Sequence, residues 1–271
     1  MPELPEVETT RRGIEPHVLG RTILGLEIHD SRLRWPVPPE LPEQLAGQRI
    51  ERVGRRAKYL LIGLTRGTLL WHLGMSGSLR VLPVGTPRRT HDHLDLILDS
   101  GRVLRFNDPR RFGSLHYTTG DCLAHPLLAH LAPEPLGPGF DADYLWKITR
   151  KRRVTIKQLL MNSRLVVGVG NIYANEALFR AHVRPRRAAR GLTRVETARL
   201  ARAIPEVLEL AIRAGGTTLR DYVGADGNPG YFRQRLSVYE RAGEPCRLCH
   251  TPIRAVIQGQ RSTYYCPVCQ R

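Results

Sequence analysis

The first residues of the chain carry groups that could act as a nucleophile and as an acid or base. The chain begins Met1-Pro2-Glu3, and a small second residue commonly allows the initiator methionine to be removed. Removal would expose the secondary amine of Pro2, which can attack a sugar C1′ or an aldehyde and form an iminium. Because an α-amino group titrates near pH ~7.7–8, it is a better nucleophile at neutral pH than lysine. Glu3 could donate a proton or activate water. Taken alone, the pattern also suits an ordinary helix start.

Four of the five cysteines lie near the C-terminus, where their spacing is that of a metal site. They are Cys246, Cys249, Cys266 and Cys269, in the pattern Cys-x2-Cys-x16-Cys-x2-Cys. Two such pairs predict one tetrahedral zinc, and it would be structural because four thiolates leave no position for water. A disulfide pair or a redox Cys-x2-Cys is the alternative, although the βαβ unit expected beside a redox motif is not visible. Cys122 is interpreted as a small buried apolar residue.

The charge of the chain points to a polyanionic partner. Lys+Arg is 42 and Asp+Glu is 25, so the formal net charge is +17. Nearly all of the basic residues are arginines, which suit bidentate contacts with phosphate. An arginine-rich proteome with a GC-rich coding sequence is the alternative explanation. The tail over 231–271 has seven arginines and two glutamates, or 7 − 2 = +5. So short a segment cannot bury much of a core, and we expect the metal to hold it together.

Composition also limits the class and the location of the protein. The 271 residues are 41% hydrophobic and 25% charged, which is typical of a globular chain. No apolar run approaches the ~18–20 residues that a membrane span needs. The N-terminus has neither the basic nor the apolar region of a signal peptide, and we therefore expect a cytoplasmic protein.

The elements that must position these residues begin with a helix and a series of short strands. Good helix formers predict a helix over 7–19, which Pro16 interrupts or kinks. Gly, Pro, Asp and Asn separate the strand-like runs that follow. These runs are 22–29, 49–56, 58–63, 68–72, 78–82, 93–98, 102–106 and 114–117. Short strands without intervening helical patterns suggest an antiparallel sandwich or barrel.

The second half changes to a helical period after a proline-rich connection over 119–140. Apolar residues at three- and four-residue spacing predict three helices. They span 155–161, 171–182 and 194–214. Pro205 is expected to kink the last helix, and Gly215-Gly216 to end it. A flexible hinge is predicted over 224–230.

Several motifs occur in order along almost the whole chain. They are 2–9 (PELPEVET), 72–77 (HLGMSG), 91–93 (HDH), 107–113 (NDPRRFG), 167–173 (VGVGNIY), 230–232 (GYF) and the four-cysteine tail with Gln260-Arg261. In these motifs the chain resembles the formamidopyrimidine-DNA glycosylase family. The resemblance implies an α+β multidomain fold in three parts. They are an antiparallel β-sandwich with flanking helices over 1–130, a helix–two-turns–helix domain over 131–225, and a four-cysteine zinc β-hairpin over 237–271.

The resemblance also implies an activity. The expected enzyme is a bifunctional glycosylase and lyase of base excision repair, which removes oxidised purines such as 8-oxoguanine and formamidopyrimidines from double-stranded DNA. It then cleaves the abasic site by β,δ-elimination. Pro2 is the implied Schiff-base nucleophile and Glu3 its acid–base partner. The enzyme is expected to be a monomer with one structural Zn²⁺, located with the nucleoid in the cytoplasm.

Two further catalytic residues follow from the resemblance. Lys58 matches a family lysine implicated in proton donation and in contact with the lesion or its phosphate, and no other lysine precedes position 147. Arg261 matches an arginine with roles in phosphate binding and δ-elimination. Since Arg261 lies between the two cysteine pairs, zinc would clamp both ends of the hairpin that carries it. Taken without the family, Lys58 is a surface lysine at a strand start and Arg261 is one of several basic tail residues.

The remaining predicted site residues would contact or distort DNA. Met75, Arg110 and Phe112 match the set that fills the gap when a nucleotide is rotated out of the duplex. The resemblance also suggests contacts with DNA phosphates at three residues, His91, Arg110 and Arg152. Asn171 begins a helix after a glycine-rich turn, where free N–H groups attract an anion. The loop over 217–222 resembles one that folds over an everted oxidised purine.

Two other functions stay open from the sequence. An endonuclease-VIII-like glycosylase for oxidised pyrimidines shares the Pro-Glu start and the elimination chemistry, although the 3–8 start and the 217–222 loop favour the purine enzyme. A non-catalytic zinc DNA-binding protein would explain the charge and the cysteines equally well. A lesion panel separates the first alternative, and a base-release assay separates the second.

Overall fold

The computed structural model describes residues 2–217 and 232–271. Its chain contacts define two compact units, which hold residues 2–129 with 214–217 and residues 130–213 with 232–271. Within the described ranges, no helix combines the length and the apolar character that crossing a membrane requires. The loop predicted over 217–222 and the hinge predicted over 224–230 lie outside the described residues, except for Thr217.

The first unit is an antiparallel β-sandwich with a helix at its start. Its elements are α1 (Leu4–Val18), β1 (Ile23–Ile28), α2 (Leu41–Leu45), β2 (Ile50–Arg56), β3 (Tyr59–Leu64), β4 (Gly67–His72), β5 (Ser78–Pro83), β6 (Asp92–Leu98), β7 (Arg102–Asn107) and β8 (Ser114–Thr118). One sheet has the order β1-β6-β7-β5 and the other β2-β3-β4-β8, and the neighbouring strands of both are antiparallel. The sandwich predicted from the strand runs is confirmed.

The core of this unit lies between the two sheets. Trp71 on β4 meets Phe106 on β7 edge to face, with ring centroids 5.5 Å apart, and both side chains are fully buried. Leucine and isoleucine side chains from both sheets and from α1 complete one apolar cluster. Alternate residues of a strand face opposite sides of the sheet. Each strand therefore buries one set of side chains between the sheets and presents the other set to solvent, where charged residues are tolerated.

Helix α1 starts earlier than the sequence predicts. It begins at Leu4 rather than Val7, because Glu3 caps it and Pro5 fits its first turn. The helix continues through Pro16, which lies in its last turn and removes a single backbone hydrogen bond. Its buried side chains Ile14 and Val18 pack into the sandwich core.

The second unit is helical and ends in a β-hairpin. Its elements are α3 (Ala142–Thr149), α4 (Ile156–Leu160), α5 (Asn171–Arg180), α6 (Arg194–Arg213), β9 (Arg254–Gln258) and β10 (Arg261–Tyr265). Helix α3 was not predicted, and the Asp141 carboxylate caps it by accepting the Tyr144 N–H at 2.7 Å. Helix α6 continues through Pro205, and Gly215 and Gly216 follow with left-handed backbone. The α+β fold class with a cysteine-rich hairpin is confirmed.

Candidate active site and nucleic-acid surface

The start of α1 holds the predicted nucleophile and its acid–base partner. Pro2 and Glu3 are both buried, and Glu3 is 2% exposed. Glu3 and Glu6 form a capping box, in which the Glu3 N–H donates to Glu6 Oε2 at 2.8 Å. A capping box fixes the entry of a chain into a helix. The backbone beside Pro2 is therefore held in one geometry.

Glu6 is a positioning residue that the sequence analysis missed. Its carboxylate is fully buried, and its second oxygen accepts the Thr217 N–H at 2.9 Å. Gly216 approaches closely, since a Cβ there would lie 3.3 Å from Glu6 Oε1. One carboxylate thus ties the first turn of α1 to the residue at which the predicted lesion loop begins.

Lys58 lies in the two-residue turn between β2 and β3. Arg56 and Tyr59 are register partners, and Ala57 has left-handed backbone with φ 53°. The Ala57 carbonyl accepts the Arg55 Nη1–H at 2.8 Å, which supports the turn. A lysine in so short a turn has a defined direction, because the paired strands fix both ends of the turn.

His72 neighbours this lysine and was not predicted to be functional. Its ring lies 4.7 Å from the Tyr59 ring, and its Nδ1 accepts the Gly74 N–H at 3.0 Å. Burial, followed by the positive charges of Lys58 and Arg34, lowers the pKa of His72 to about 4. The imidazole is therefore neutral at pH 7.

The predicted gap-filling residues lie on two turns that pack against each other. Gly74 has φ 67°, and a Cβ there would lie 2.4 Å from the backbone of Phe112 and Gly113. Only glycine permits this approach. Phe112 is 43% exposed, and the Arg110 guanidinium carbon lies 5.3 Å from its ring centroid. Met75 follows Gly74 directly and is half-buried. The two turns that carry these three side chains are therefore in contact.

Asp108 is the side chain that fixes both turns. It is fully buried, and it accepts the Ser76 hydroxyl at 2.7 Å and the Gly113 N–H at 2.7 Å. Its backbone N–H donates to the His91 carbonyl at 3.1 Å, and its own carbonyl accepts the His93 ring N–H at 2.9 Å. His91 is exposed beside the same hub. The position of Asp108 inside the 107–113 motif was the sequence signal that could have indicated this role.

Left-handed backbone recurs at the predicted site positions of both units. The non-glycine residues concerned are Ala57 (φ 53°), His91 (φ 72°), Arg111 (φ 57°), Lys151 (φ 61°) and Gln260 (φ 60°). Each is a predicted site residue or is adjacent to one. Such backbone is uncommon outside glycine and makes the chain turn sharply, which places the neighbouring side chain at the tip of a loop.

In the second unit, the structure separates the members of the basic run over 150–153. The Arg150 guanidinium carbon lies 3.7 Å from the Trp146 ring centroid, and Arg150 Nη2 donates to the Leu192 carbonyl at 2.9 Å. Arg150 is thus engaged in packing. Arg152 is exposed, in agreement with a position open to phosphate.

Arg261 stands where the C-terminal hairpin turns. Gly259 and Gln260 both have left-handed backbone, the geometry of a tight two-residue hairpin turn, and Gln258 pairs with Arg261. The next residue, Ser262, offers its carbonyl to Asn171 Nδ2 at 3.1 Å. Asn171 is the first residue of α5, as predicted, and it contacts the strand that carries Arg261.

Lys157 also holds this strand and was missed by the sequence analysis. It lies in α4 and is 1% exposed. Its Nζ donates to the Ser262 carbonyl at 2.9 Å and to Thr263 Oγ1 at 2.7 Å. A lysine at a buried helix position was a signal that it has a specific partner.

Glu176 fixes the approach of the chain to the hairpin. This buried carboxylate of α5 accepts backbone N–H groups from Ser237 at 2.8 Å, Val238 at 2.9 Å and Tyr239 at 2.9 Å. Burial raises the pKa of Glu176, although the three N–H donors oppose that rise. No local pattern around Glu176 indicates this contact.

The four predicted cysteines form one cluster, and their geometry fits zinc. All four Sγ atoms lie within 4.8 Å of one another, with Cys249–Cys266 at 3.4 Å and Cys246–Cys269 at 3.9 Å. Ligands at about 2.3 Å in a tetrahedron lie about 3.8 Å apart. The Leu248 and Cys269 amides point at Cys246 Sγ and Cys266 Sγ, each at 3.4 Å, as expected around thiolates. The four cysteines hold one structural zinc.

Family models cover most of the chain. Residues 1–115 match the formamidopyrimidine-DNA glycosylase N-terminal domain, residues 131–223 match the formamidopyrimidine-DNA glycosylase H2TH domain, and residues 243–271 match a zinc finger found in FPG and IleRS. A formamidopyrimidine-DNA glycosylase from Thioalkalivibrio sulfidiphilus is 63% identical over 271 residues, 100% of both chains.

Solved structures agree with these matches. The MutM (Fpg) protein of Thermus thermophilus has a TM-score of 0.89 and 42% identity over 99% of this chain and 98% of that one. Lactococcus lactis Fpg has a TM-score of 0.92 and 33% identity over 100% of both chains. It is bound to DNA containing N7-benzyl-Fapy-dG in one structure and an oxidised pyrimidine in the other.

The sandwich, the helical domain and the four-cysteine hairpin together define a zinc-finger DNA glycosylase. The chain belongs to the formamidopyrimidine-DNA glycosylase family. It is therefore an enzyme of a bifunctional glycosylase and AP lyase family.

Proposed function

We propose that this enzyme excises oxidised purines, 8-oxoguanine and formamidopyrimidines, from double-stranded DNA and then cleaves the abasic site by β,δ-elimination. The observation that carries the proposal is the buried start of α1, where the capping box of Glu3 and Glu6 holds the backbone beside Pro2. The enzyme acts as a monomer in the bacterial cytoplasm, with the nucleoid. Its proposed domains are 1–130, 131–225 and 237–271.

The proposed chemistry starts at the nitrogen of Pro2. Once Met1 is removed, this nitrogen attacks C1′ of the damaged nucleotide, and the bond from C1′ to the base breaks. Glu3 then donates a proton to the sugar ring oxygen as the bond from C1′ to that oxygen breaks, which opens the ring and leaves the iminium. The resulting iminium acidifies the C2′ proton. Loss of that proton expels the 3′ phosphate, and a second elimination expels the 5′ phosphate. Water then releases the sugar fragment and restores the amine.

Two cations support these steps in the proposal. Lys58, in its two-residue turn, donates a proton or binds the phosphate of the lesion. Arg261, at the turn of the zinc hairpin, binds a phosphate next to the lesion and assists δ-elimination. Guanidinium suits the second role because its fork of donors matches phosphate oxygens.

The exposed edge of the sandwich would handle the rotated nucleotide. In the proposal, Met75 and Phe112 enter the duplex as apolar wedges, and Arg110 hydrogen-bonds the orphaned base. His91, Arg110, Arg152 and Asn171 are proposed phosphate contacts. With a net charge of +17, several such contacts make binding strongly dependent on salt, by roughly −0.9 in the log–log slope for each phosphate.

Borohydride trapping on an 8-oxoguanine duplex tests the nucleophile. Reduction of the iminium should leave one covalent adduct per active molecule, and peptide mapping should place it on Pro2. Enzyme that retains Met1 should be inactive, because its proline nitrogen is an amide. Glu3→Gln should lose base excision and retain DNA binding, and it should still process a preformed abasic site. An adduct on Lys58, formed by an active enzyme that retains Met1, would overturn the mechanism.

A second candidate substrate is an oxidised pyrimidine, because the Lactococcus lactis relative has been captured with DNA containing one. Single-turnover excision from a panel of duplexes, each with one lesion, separates the candidates. Faster excision of 8-oxoguanine and formamidopyrimidines than of oxidised pyrimidines supports the proposal, and the reverse order contradicts it.

A further inference from the structure

We propose that Glu27, His29 and Asp95 form a second divalent metal site, on the outer face of the β-sandwich. Glu27 and His29 are two residues apart, at the end of β1 and just beyond it, and so face the same side of the sheet. Asp95 on β6 is the register partner of Glu27. Their strand neighbours Leu26 and Leu94 face the core, so the three polar side chains share the opposite face.

The distances between the potential ligand atoms suit a first-row metal ion. His29 Nε2 lies 3.2 Å from Asp95 Oδ2 and 3.9 Å from Glu27 Oε2, and one ligand atom from each residue lies within 4.8 Å of the others. Ligands at about 2.0–2.2 Å from a tetrahedral ion lie about 3.4 Å apart. The Glu27 side chain is 60% exposed, so it can close the remaining distance by a rotamer change.

Asp95 is already hydrogen-bonded, in a manner that leaves room for a metal. Arg105 donates from Nε to Oδ1 at 2.7 Å and from Nη2 to Oδ2 at 2.7 Å. A carboxylate has about four lone-pair sites. The guanidinium occupies two of them, and the His29 ring nitrogen, 3.2 Å from Oδ2, occupies a third, so a metal would replace that hydrogen bond between two of its own ligands. Carboxylate ligands of metals commonly accept such an outer hydrogen bond, which fixes their orientation.

Space for further ligands lies beside the cluster. A cavity of about 400 Å³ is lined by Glu27, His29 and Asp95, and by residues of the loop that follows β5. Water molecules can complete the coordination there. One imidazole with two carboxylates favours zinc, cobalt or nickel, since calcium and magnesium prefer oxygen ligands alone. The finger thiolates form a closed set, so the two sites do not share a ligand.

Cobalt binding to the zinc-loaded protein tests this site without any activity assay. Protein with its finger zinc in place is titrated with Co²⁺, and bound cobalt is counted by elemental analysis and followed by absorption. We expect one added equivalent with the weak visible bands of nitrogen and oxygen ligands. Intense sulfur-to-cobalt bands would instead report exchange into the finger and, without an added equivalent, would contradict the site.

Matched variants identify the ligands. His29→Ala should weaken cobalt binding by about tenfold or more, and Glu27→Gln, at an exposed position, should weaken it less. His17→Ala and Glu51→Gln remove the same groups from exposed positions elsewhere and should bind as the native protein does. No cobalt beyond the finger, or equal binding by native protein, His29→Ala and Glu27→Gln, would overturn the proposal.

Discussion

Two hairpin turns of the molecule present a cation in similar ways but are supported by different means. Lys58 follows the left-handed Ala57 between β2 and β3, and Arg261 follows the left-handed Gln260 between β9 and β10. The first turn belongs to a four-stranded sheet over a core of fully buried side chains such as Trp71. The second belongs to a two-stranded sheet that has no second layer of strands in the described residues.

The C-terminal hairpin is held by metal ligands and hydrogen bonds rather than by a large apolar core. Its apolar cluster is small and includes two of the zinc ligands, Cys246 and Cys266. Metal ligation closes the chain at its ends, and Lys157 and Asn171 hold its second strand from neighbouring helices. A segment too short to bury a core can thus be held in place by metal ligands and hydrogen bonds to neighbouring helices.

Removing zinc should have the largest effect on DNA affinity. It should disrupt the turn that carries Arg261 and leave the turn that carries Lys58 intact. A structural zinc contributes about 10–16 kcal/mol in isolated zinc-finger peptides, so its loss or Cys249→Ser should unfold the hairpin. DNA affinity should collapse with Arg261 displaced, while circular dichroism shows that the sandwich remains folded. Fluorescence anisotropy and zinc analysis make the measurement.

The fifth cysteine provides the control for that experiment. Cys122 lies in the first unit and outside the cluster, so Cys122→Ser should keep both zinc and DNA affinity. Full DNA affinity in a verified zinc-free protein would show that the hairpin needs no metal, and would contradict the view that zinc supports the Arg261 turn.

A methyl group at Gly74 should give the next largest effect, now in the sandwich. In Gly74→Ala the new Cβ meets the backbone of Phe112 and Gly113 at 2.4 Å, at a φ of 67°. Overpacking and left-handed strain together should cost about 3–4 kcal/mol. Gly101→Ala is the matched control, because Gly101 has φ 72° and open space around its Cβ position. It should cost about 1–2 kcal/mol.

Thermal melting of the two glycine variants makes the comparison. Equal losses for both variants would mean that backbone strain alone acts, and that the contact between the Met75 and Phe112 turns is loose.

Replacing Lys157 tests whether zinc alone holds the second turn. Lys157→Met keeps the shape but removes the donors to Ser262 and Thr263, and hydrogen bonds of a charged group are worth about 1.5–3 kcal/mol. We expect DNA affinity to fall about tenfold at unchanged zinc content. Lys147→Met, at an exposed position of α3, should change neither. If Lys157→Met binds DNA as tightly as Lys147→Met does, then the metal alone supports the turn that carries Arg261.

The features that could be predicted from the sequence are those that depend on the spacing of residues within one short segment. The cysteine pairs predict the zinc site because all four ligands lie in one short segment. The alternation of short apolar runs predicts the sandwich because strands bury every second residue. The roles of Pro2 as nucleophile and Glu3 as acid stay a prediction, which rests on the family resemblance of the 2–9 start.

The residues that position the site depend on distant partners and could not be predicted in this way. Glu6 binds the Thr217 N–H across 211 residues, and Lys157 binds the Ser262 carbonyl across 105. Glu176 accepts the Ser237 N–H across 61 residues. A buried charged residue indicates that it has a partner, but only the fold says which one.

Acid should affect both turns, for different reasons. Burial and neighbouring positive charge lower the pKa of His72 from 6.5 to about 4. Between these values the unfolded chain binds a proton that the folded chain does not, so the contribution of His72 to stability falls as the pH drops from 6.5 to about 4. His72→Asn introduces a side-chain amide that cannot titrate but whose carbonyl can still accept the Gly74 N–H. This variant should reduce the pH dependence of sandwich melting in that window, and His116, whose pKa burial also lowers, should account for a remainder. The hairpin loses stability in acid because its thiolates take up protons, and excess zinc should oppose that loss. Melting curves at several pH values, with and without added zinc, separate the two causes. A native sandwich as pH-independent as the variant would show that His72 is protonated without cost.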